Sequence, residues 1–278
     1  MKSIVKTSLF ILLFISICAC NQRAELLSSK EESSKKVEMV TNYGTMVIEL
    51  YNETPLHRDN FVNLVKHSAY DSLLFHRVIN KFMIQGGDPD SKKAKPNDTL
   101  GDGDVPYVVK AEFNNELFHK KGTLAAARDN NPKKSSSGIQ FYIVQGRVYN
   151  DSLLNRSENR ISSRFAQEFY KDNSSMKPIL DSINDAQDKG NRETYNLLSE
   201  RILKLANADS TFKKYTIPDS QREIYKTLGG TPWLDQSYTV FGEVVKGMEV
   251  LDSIANVQTA PTDRPIADVR IKTVRLLD

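Results

Sequence analysis

Two cysteines, Cys18 and Cys20, are the only ones in this 278-residue chain, and both lie near its start. Downstream of them no thiol is available for a disulfide, a cysteine–metal site or a thiol nucleophile. An excess of one charge is lacking too: 38 basic and 35 acidic residues leave a net charge of +3. No basic stripe is interleaved with aromatics, so nothing here argues for a nucleic-acid partner. His57, His67, His76 and His119 are too scattered to suggest a metal cluster. No G-x-S-x-G, H-E-x-x-H or phosphate loop occurs, and the chemistries those motifs serve are not signalled. What remains, 39% hydrophobic and 26% charged residues, is the composition of an ordinary globular protein.

The N-terminus follows a logic of its own. Lys2 and Lys6 precede an apolar run, Leu9 to Ile17, that ends at Cys18-Ala19-Cys20. A basic end, an apolar segment too short to span comfortably and then small residues make a signal-peptide pattern. Ile17-Cys18-Ala19-Cys20 resembles the lipobox of bacterial lipoproteins, which implies removal of residues 1–19 and acylation of Cys20. A plain signal peptide or a single N-terminal anchor helix is the alternative. Residues 20–36 are Ser, Lys and Glu with little apolar content beyond Leu26-Leu27, and read as a flexible tether. The resemblance implies a lipid-anchored protein of the cell envelope. Asn21 after the Cys leans toward the outer membrane, facing the periplasm, if the cell has two membranes; the inner membrane and the cell surface are the alternatives.

From residue 37 to 278 the chain reads as one domain. Val37, Met39, Met46, Ile48 and Leu50 alternate with polar residues around Asn42-Tyr43-Gly44, which predicts a hairpin with one buried face. Thr54 as N-cap and Pro55 at the first position open a helix striped by Phe61, Leu64 and Val65. Leu124 to Ala127, Gln140 to Val144, Tyr238 to Val245 and Ile266 to Leu277 read as strands, with a helix near 248–254. Lys133 to Gly138 reads as a mobile loop. Gly101-Asp102-Gly103-Asp104 reads as a solvated turn, because the regular acidic spacing of a calcium loop is absent. The strand-rich pattern favours a closed antiparallel barrel whose ends two helices cover. Residues 147–230 break it: Ile179, Leu180 and Ile183, then Leu198, Ile202 and Leu205, repeat at helical spacing. That predicts an inserted α-helical subdomain of three or four helices; a scaffold that docks a protein partner on this insertion is an alternative reading.

The stretch Phe75 to Pro89 carries the chemistry. It reads as two short strands turned at Asn80-Lys81 and closed by Gly86-Gly87-Asp88-Pro89. Arg77, Met83 and Gln85 lie at even offsets, so period-2 alternation can aim a cation, a soft apolar group and an amide at one surface. This run closely resembles the signature of the cyclophilins, the peptidyl-prolyl cis-trans isomerases. The resemblance covers about 37–144 and 230–277. It implies a mainly β, closed eight-stranded barrel, isomerisation of X-Pro bonds in exported polypeptides and no cofactor or metal.

It also implies roles for residues that match the family's motifs. Arg77 becomes the catalytic electrophile. Phe82, Met83, Tyr142 and Leu234 line a proline pocket, with Trp233 at its rim. Gln85 and Gln140 bind the substrate backbone, and the peptide lies along Ala127 and Arg128. Three positions depart from the family's usual residues: Tyr142 replaces Phe, Arg128 replaces Asn, and Tyr238 stands where a His is common. A Tyr hydroxyl can still donate to a substrate carbonyl. A proline-directed binding module or holdase with weak catalysis is the alternative reading.

Overall fold

The computed structural model describes residues 34–96 and 98–277. The lipobox, Cys20 and nearly all of the tether lie outside them. Ordered strand begins at Lys35, two residues before the predicted domain edge.

Ten strands and six helices follow. Strands β1 (Lys35–Thr41) and β2 (Gly44–Leu50) form the predicted hairpin, with Val37, Met39, Met46, Ile48 and Leu50 wholly buried. Helix α1 (Pro55–Lys66) leads to β3 (Phe75–Ile79) and β4 (Met83–Gly86). Next come β5 (Val108–Val109), β6 (Thr123–Ala126), β7 (Ser136–Ser137) and β8 (Phe141–Val144). Helices α2 (Asp151–Phe169), α3 (Lys177–Asp188), α4 (Arg192–Asn207) and α5 (Asp219–Thr227) precede β9 (Val240–Lys246), α6 (Met248–Ala255) and β10 (Ile271–Leu277).

Eight strands make one antiparallel sheet in the order β10-β1-β2-β9-β6-β8-β4-β3. It curls until its edges approach, but β3 and β10 form no ladder. One bridge, Leu74 to Arg270, crosses the seam, with backbone bonds from Phe75 N to Val269 O and Ile271 N to Leu73 O at 2.8 Å each. The closed barrel expected from the sequence is therefore corrected to an open, curled sheet. Residues 256–270, which reach the seam, carry Pro261 and Pro265, and proline cannot donate to a ladder.

The inner face of the curl is the main core. Helix α1 supplies Phe61, Val62, Leu64 and Val65, and α6 supplies Val250, Leu251, Ile254 and Ala255. Phe61, Tyr70, Phe75 and Phe141 pack as tilted and edge-on pairs with centroids 4.8–6.0 Å apart, the geometry that ring quadrupoles favour. The start of α1 departs from expectation. Thr54 sits at the N-cap without a capping bond, and Glu112 from a distant loop accepts from Leu56 N and His57 N at 3.0 Å each. A carboxylate there satisfies orphan donors and suits the positive end of the helix dipole.

The loop predicted as mobile, Lys133 to Gly138, is tied down. Ser136 and Ser137 pair with Val109 and Val108, and the Asn131 side chain brackets Ser135. The stretch after β8 holds α2 to α5, the last beginning just beyond Pro218. One helical core joins Ala166, Tyr170, Ile183, Ile202 and Ala206. A second joins Tyr149, Leu154, Ile217 and Tyr225, with Phe118 and Trp233 against it. From Lys35 onward the chain packs as a single compact unit. Among the described residues no helix is long and apolar enough to cross a membrane, and no His, Cys, Asp and Glu group could hold a metal.

Candidate active site

A bulge in β3 decides where Arg77 points. Phe75 pairs with Gly86 and Arg77 with Gln85, so His76 is an extra residue on that strand. Strict alternation would put Phe75 and Arg77 on the same face. The bulge instead leaves Phe75 and Val78 inside the core and turns Arg77 outward, opposite Gln85. Ile79 pairs with Met83 in the same register, so Met83, Gln85 and Arg77 share the outer face.

His76 itself is buried, and neither ring nitrogen has a hydrogen-bond partner among the described residues. Burial, reinforced by Arg77 and Arg264 against the opposing pull of Asp88, lowers its pKa to about 4.

The guanidinium is held at two points. Its Nε donates to Asp263 Oδ2 at 3.3 Å, and Nη1 makes a long 3.5 Å contact with Gln85 Oε1. The Arg77 side chain is 43% exposed, which leaves it accessible to a ligand. Asp263 has φ +64° and is fixed by its own backbone: Val78 N donates to its carbonyl at 2.8 Å, and its N–H donates to Ala260 O at 2.9 Å.

Behind Arg77 runs a directional amide chain. Gln140 Nε2 donates to Gly101 O at 2.8 Å and Gly103 O at 2.7 Å, which commits both of its hydrogens. Gln140 Oε1 must then accept, and it does so from Gln85 Nε2 at 3.0 Å. That leaves Gln85 Oε1 aimed at Arg77. The Gly101–Asp104 segment, read from sequence as a solvated turn, thus anchors the site. Only glycine fits at 103, where a Cβ would fall 2.1 Å from Asp88 Oδ1.

An apolar hollow adjoins this polar row. Met83, Ala125, Ala127, Tyr142, Val144 and Val240 form its buried lining, and Phe82, Leu117, Leu234 and Tyr238 pack against them half-exposed. Tyr142 meets Tyr238 edge-on at 5.8 Å, and Phe82 lies 5.8 Å from Trp233. The alanines at the β6 side present little side-chain bulk on this face. The hollow gathers Phe82, Met83, Ala127, Tyr142, Leu234 and Tyr238, with Trp233 beside Phe82. Arg77, Gln85 and Gln140 form the row alongside. Arg128 lies at the far edge, its guanidinium 4.7 Å over the Tyr238 ring.

Sequence reasoning missed a buried polar chain behind the hollow. His119 Nδ1 lies 2.8 Å from Asp235 Oδ1, and its Nε2 lies 2.9 Å from the Tyr142 hydroxyl. Tyr225 donates to Asp235 Oδ2 at 2.7 Å. A carboxylate can only accept, so Nδ1 donates to Asp235, and in the neutral ring Nε2 accepts a hydrogen bond from the Tyr142 hydroxyl. Burial pushes the Tyr142 hydroxyl well above its usual range, so it remains a donor. Asp235 stands in the Trp-Leu-Asp run, but 116 residues separate it from His119, and no local pattern links them. Asp263, 186 residues from Arg77, left no signal either.

The family model for the cyclophilin-type peptidyl-prolyl cis-trans isomerases matches residues 36–158 and 154–276. A relative from Staphylococcus aureus (strain USA300), named as a peptidyl-prolyl cis-trans isomerase, is 30% identical over 251 residues. The match covers 90% of this chain and 95% of that one. A relative of the same name from Staphylococcus saprophyticus is 29% identical over 244 residues, 87% of this chain and 92% of its own. Among solved structures, a Cryptosporidium parvum cyclophilin-type isomerase superposes with a TM-score of 0.53 at 19% identity, covering 88% of this chain and 99% of that one. The same protein in the presence of the dipeptide Ala-Pro superposes with a TM-score of 0.50 at 18% identity, over 87% and 99%.

Proposed function

The chain belongs to the cyclophilin-type peptidyl-prolyl cis-trans isomerases, and we propose that Arg77 drives this isomerisation on exported polypeptides. Rotation about an X-Pro bond crosses a barrier of roughly 20 kcal/mol because amide resonance is lost at the twisted geometry. No bond is made or broken. An enzyme lowers this barrier by holding the proline ring and stabilising the twisted amide. As resonance fades, the prolyl nitrogen becomes pyramidal and exposes a lone pair. A fixed donor aimed at that lone pair is worth more in the transition state than in the ground state, which is the condition for catalysis.

The observation that carries this reading is a half-exposed guanidinium, braced by Asp263 and Gln85, beside an apolar hollow on the same face. Arginine suits the task because it stays charged and presents a rigid fork. The ring would enter between Phe82, Met83, Tyr142 and Leu234, and the peptide would run along Ala127 and Arg128. The Cryptosporidium structure obtained with Ala-Pro supports a proline-containing ligand. No cofactor or metal enters the scheme. A protease-coupled assay on an X-Pro peptide tests it: Arg77→Ala should lower kcat/KM by about 10²–10³-fold, the scale of losing one preorganised donor. Full activity in that variant would overturn the mechanism.

Residues 147–230 act in this proposal as a helical insertion between β8 and β9, bordering the Trp233 rim and offering a surface to a protein partner. Acylation at Cys20 would hold the domain on an envelope membrane, the outer one facing the periplasm, where prolyl isomerisation slows the folding of exported chains. Mass spectrometry of the mature N-terminus checks this, and an unmodified Cys20 would refute it. A proline-directed binder or holdase is the second reading. The contact of Arg77 with Asp263, which a substrate must share, favours it.

A further inference from the structure

Three cations gather beside the hollow, and among the described residues none of them forms an ion pair. Arg128, just beyond β6, donates through Nε to Ser237 O at 2.9 Å and through Nη1 to Asp129 O at 2.8 Å. Arg164, from α2, donates through Nη2 to Trp233 O at 2.8 Å and Asp235 O at 3.3 Å. All four acceptors are backbone carbonyls, which orient a guanidinium but do not neutralise it. Both arginines grip the short segment 233–238 that carries Leu234 and Tyr238.

Lys134 completes the group from the β7 loop, held at φ +51° with its ammonium 5.6 Å over the Phe113 ring. Its pKa is lowered, first by burial and then by Arg164 and Arg128, with Glu168 opposing.

Among the described residues no nearby carboxylate forms an ion pair with these three cations, although Asp235 acts on Arg164 and Glu168 on Lys134 from a distance. Asp235 is spent on His119 and Tyr225, and Glu168 bonds Lys171 at 2.7 Å. Asp129 offers Arg128 its carbonyl. Lysines on another part of the surface behave differently: Lys120 pairs with Glu243 and Lys121 with Asp252, each at 2.7 Å. Positive charge next to Tyr238, on the edge of the hollow, is therefore offset only at a distance, with no carboxylate at ion-pair distance among the described residues. Half-buried like charges raise one another's cost, and an incoming anion relieves it.

We propose that Arg128, Lys134 and Arg164 form a specificity subsite for an Asp or Glu side chain flanking the proline of the substrate. The inference rests on the isomerase reading above and narrows its substrates to X-Pro segments with an acidic neighbour. The carboxylate would approach Arg128 and Lys134, the two cations nearest solvent. Arg164, fastened beneath segment 233–238, adds its field and holds that wall in place.

The test is kcat/KM on a peptide series with Glu, Ala or Lys placed in turn at the two positions before and the two after Pro. At low salt one Glu position should exceed its Lys counterpart by about three- to tenfold, the scale of partly exposed ion pairs. In about 1 M salt, where screening acts within about 3 Å, the ratio should fall toward one. Lys134→Glu should leave the Ala peptide unaffected and abolish or reverse the preference. Equal rates for Glu and Lys peptides at every position, or a preference unmoved by Lys134→Glu, would overturn the subsite. The Ala-peptide rate separates that failure from failure of the isomerase reading, because it tests turnover with no flanking charge.

Discussion

Alternate residues of strand β8 live in two different environments. Phe141 and Ile143 face the inner core, whereas Tyr142 and Val144 face the outer hollow. The same division runs through β6, with Leu124 and Ala126 inside and Ala125 and Ala127 outside. The inner face is closed by α1 and α6 and filled with interlocking aromatics. The outer face carries alanines on β6, and its buried Tyr142 hydroxyl is bound from behind by His119. One face is built for stability, and the other carries smaller side chains and half-exposed aromatics. A sheet can do both because its side chains alternate with period 2.

Paired substitutions at adjacent positions of β8 test that division most directly. Phe141→Ala should cost about 3–5 kcal/mol, the transfer and cavity cost of a buried aromatic, read by urea denaturation. A loss below about 1 kcal/mol would mean that the inner face is not the core. His76 belongs to neither face, because the bulge places it between them. Its pKa is about 4 in the folded chain and near 6.5 when unfolded. The folded state therefore resists a proton that the unfolded state accepts. Stability from this group is complete above about pH 6.5 and lost as pH falls toward 4, by at most about 3 kcal/mol. His57, also lowered by burial against the pull of Glu112, adds in the same direction. Replacing His76 with Phe should flatten the acid slope of stability between those pH values, and an unchanged slope would refute the assignment. The smallest effect belongs to the outer face. Tyr142→Phe removes one hydrogen bond, worth about 1 kcal/mol, and should lower kcat/KM by less than about tenfold because the ring stays. If it proves as costly as Phe141→Ala, the two faces are not distinct.

Much of the site could be read in the chain because it is built from local runs. Arg77, Met83 and Gln85 share a face as their offsets imply, and the hairpin turns at Asn42-Tyr43 with the expected apolar alternates buried. The helical stretch between β8 and β9 was visible in its apolar spacing. What stayed hidden involves partners far apart in sequence: Glu112 capping α1, Gly101 and Gly103 holding Gln140, Asp263 bracing Arg77, and Asp235 gripping His119. Thr54 and the 133–138 loop misled because local rules assign a cap to the nearest hydroxyl and mobility to polar residues. Neither rule can count a carboxylate or a strand arriving from elsewhere.

By itself, then, the amino-acid order determined the alternation, the turn at Asn80-Lys81 and the residue types that can hold a proline ring beside a cation. That Phe75 and Arg77, two residues apart, face opposite sides of the sheet was decided only in three dimensions. Backbone pairing against β4 inserts one extra residue at His76 and sends the next side chain outward. Register is a property of two strands together, so neither strand's sequence contains it.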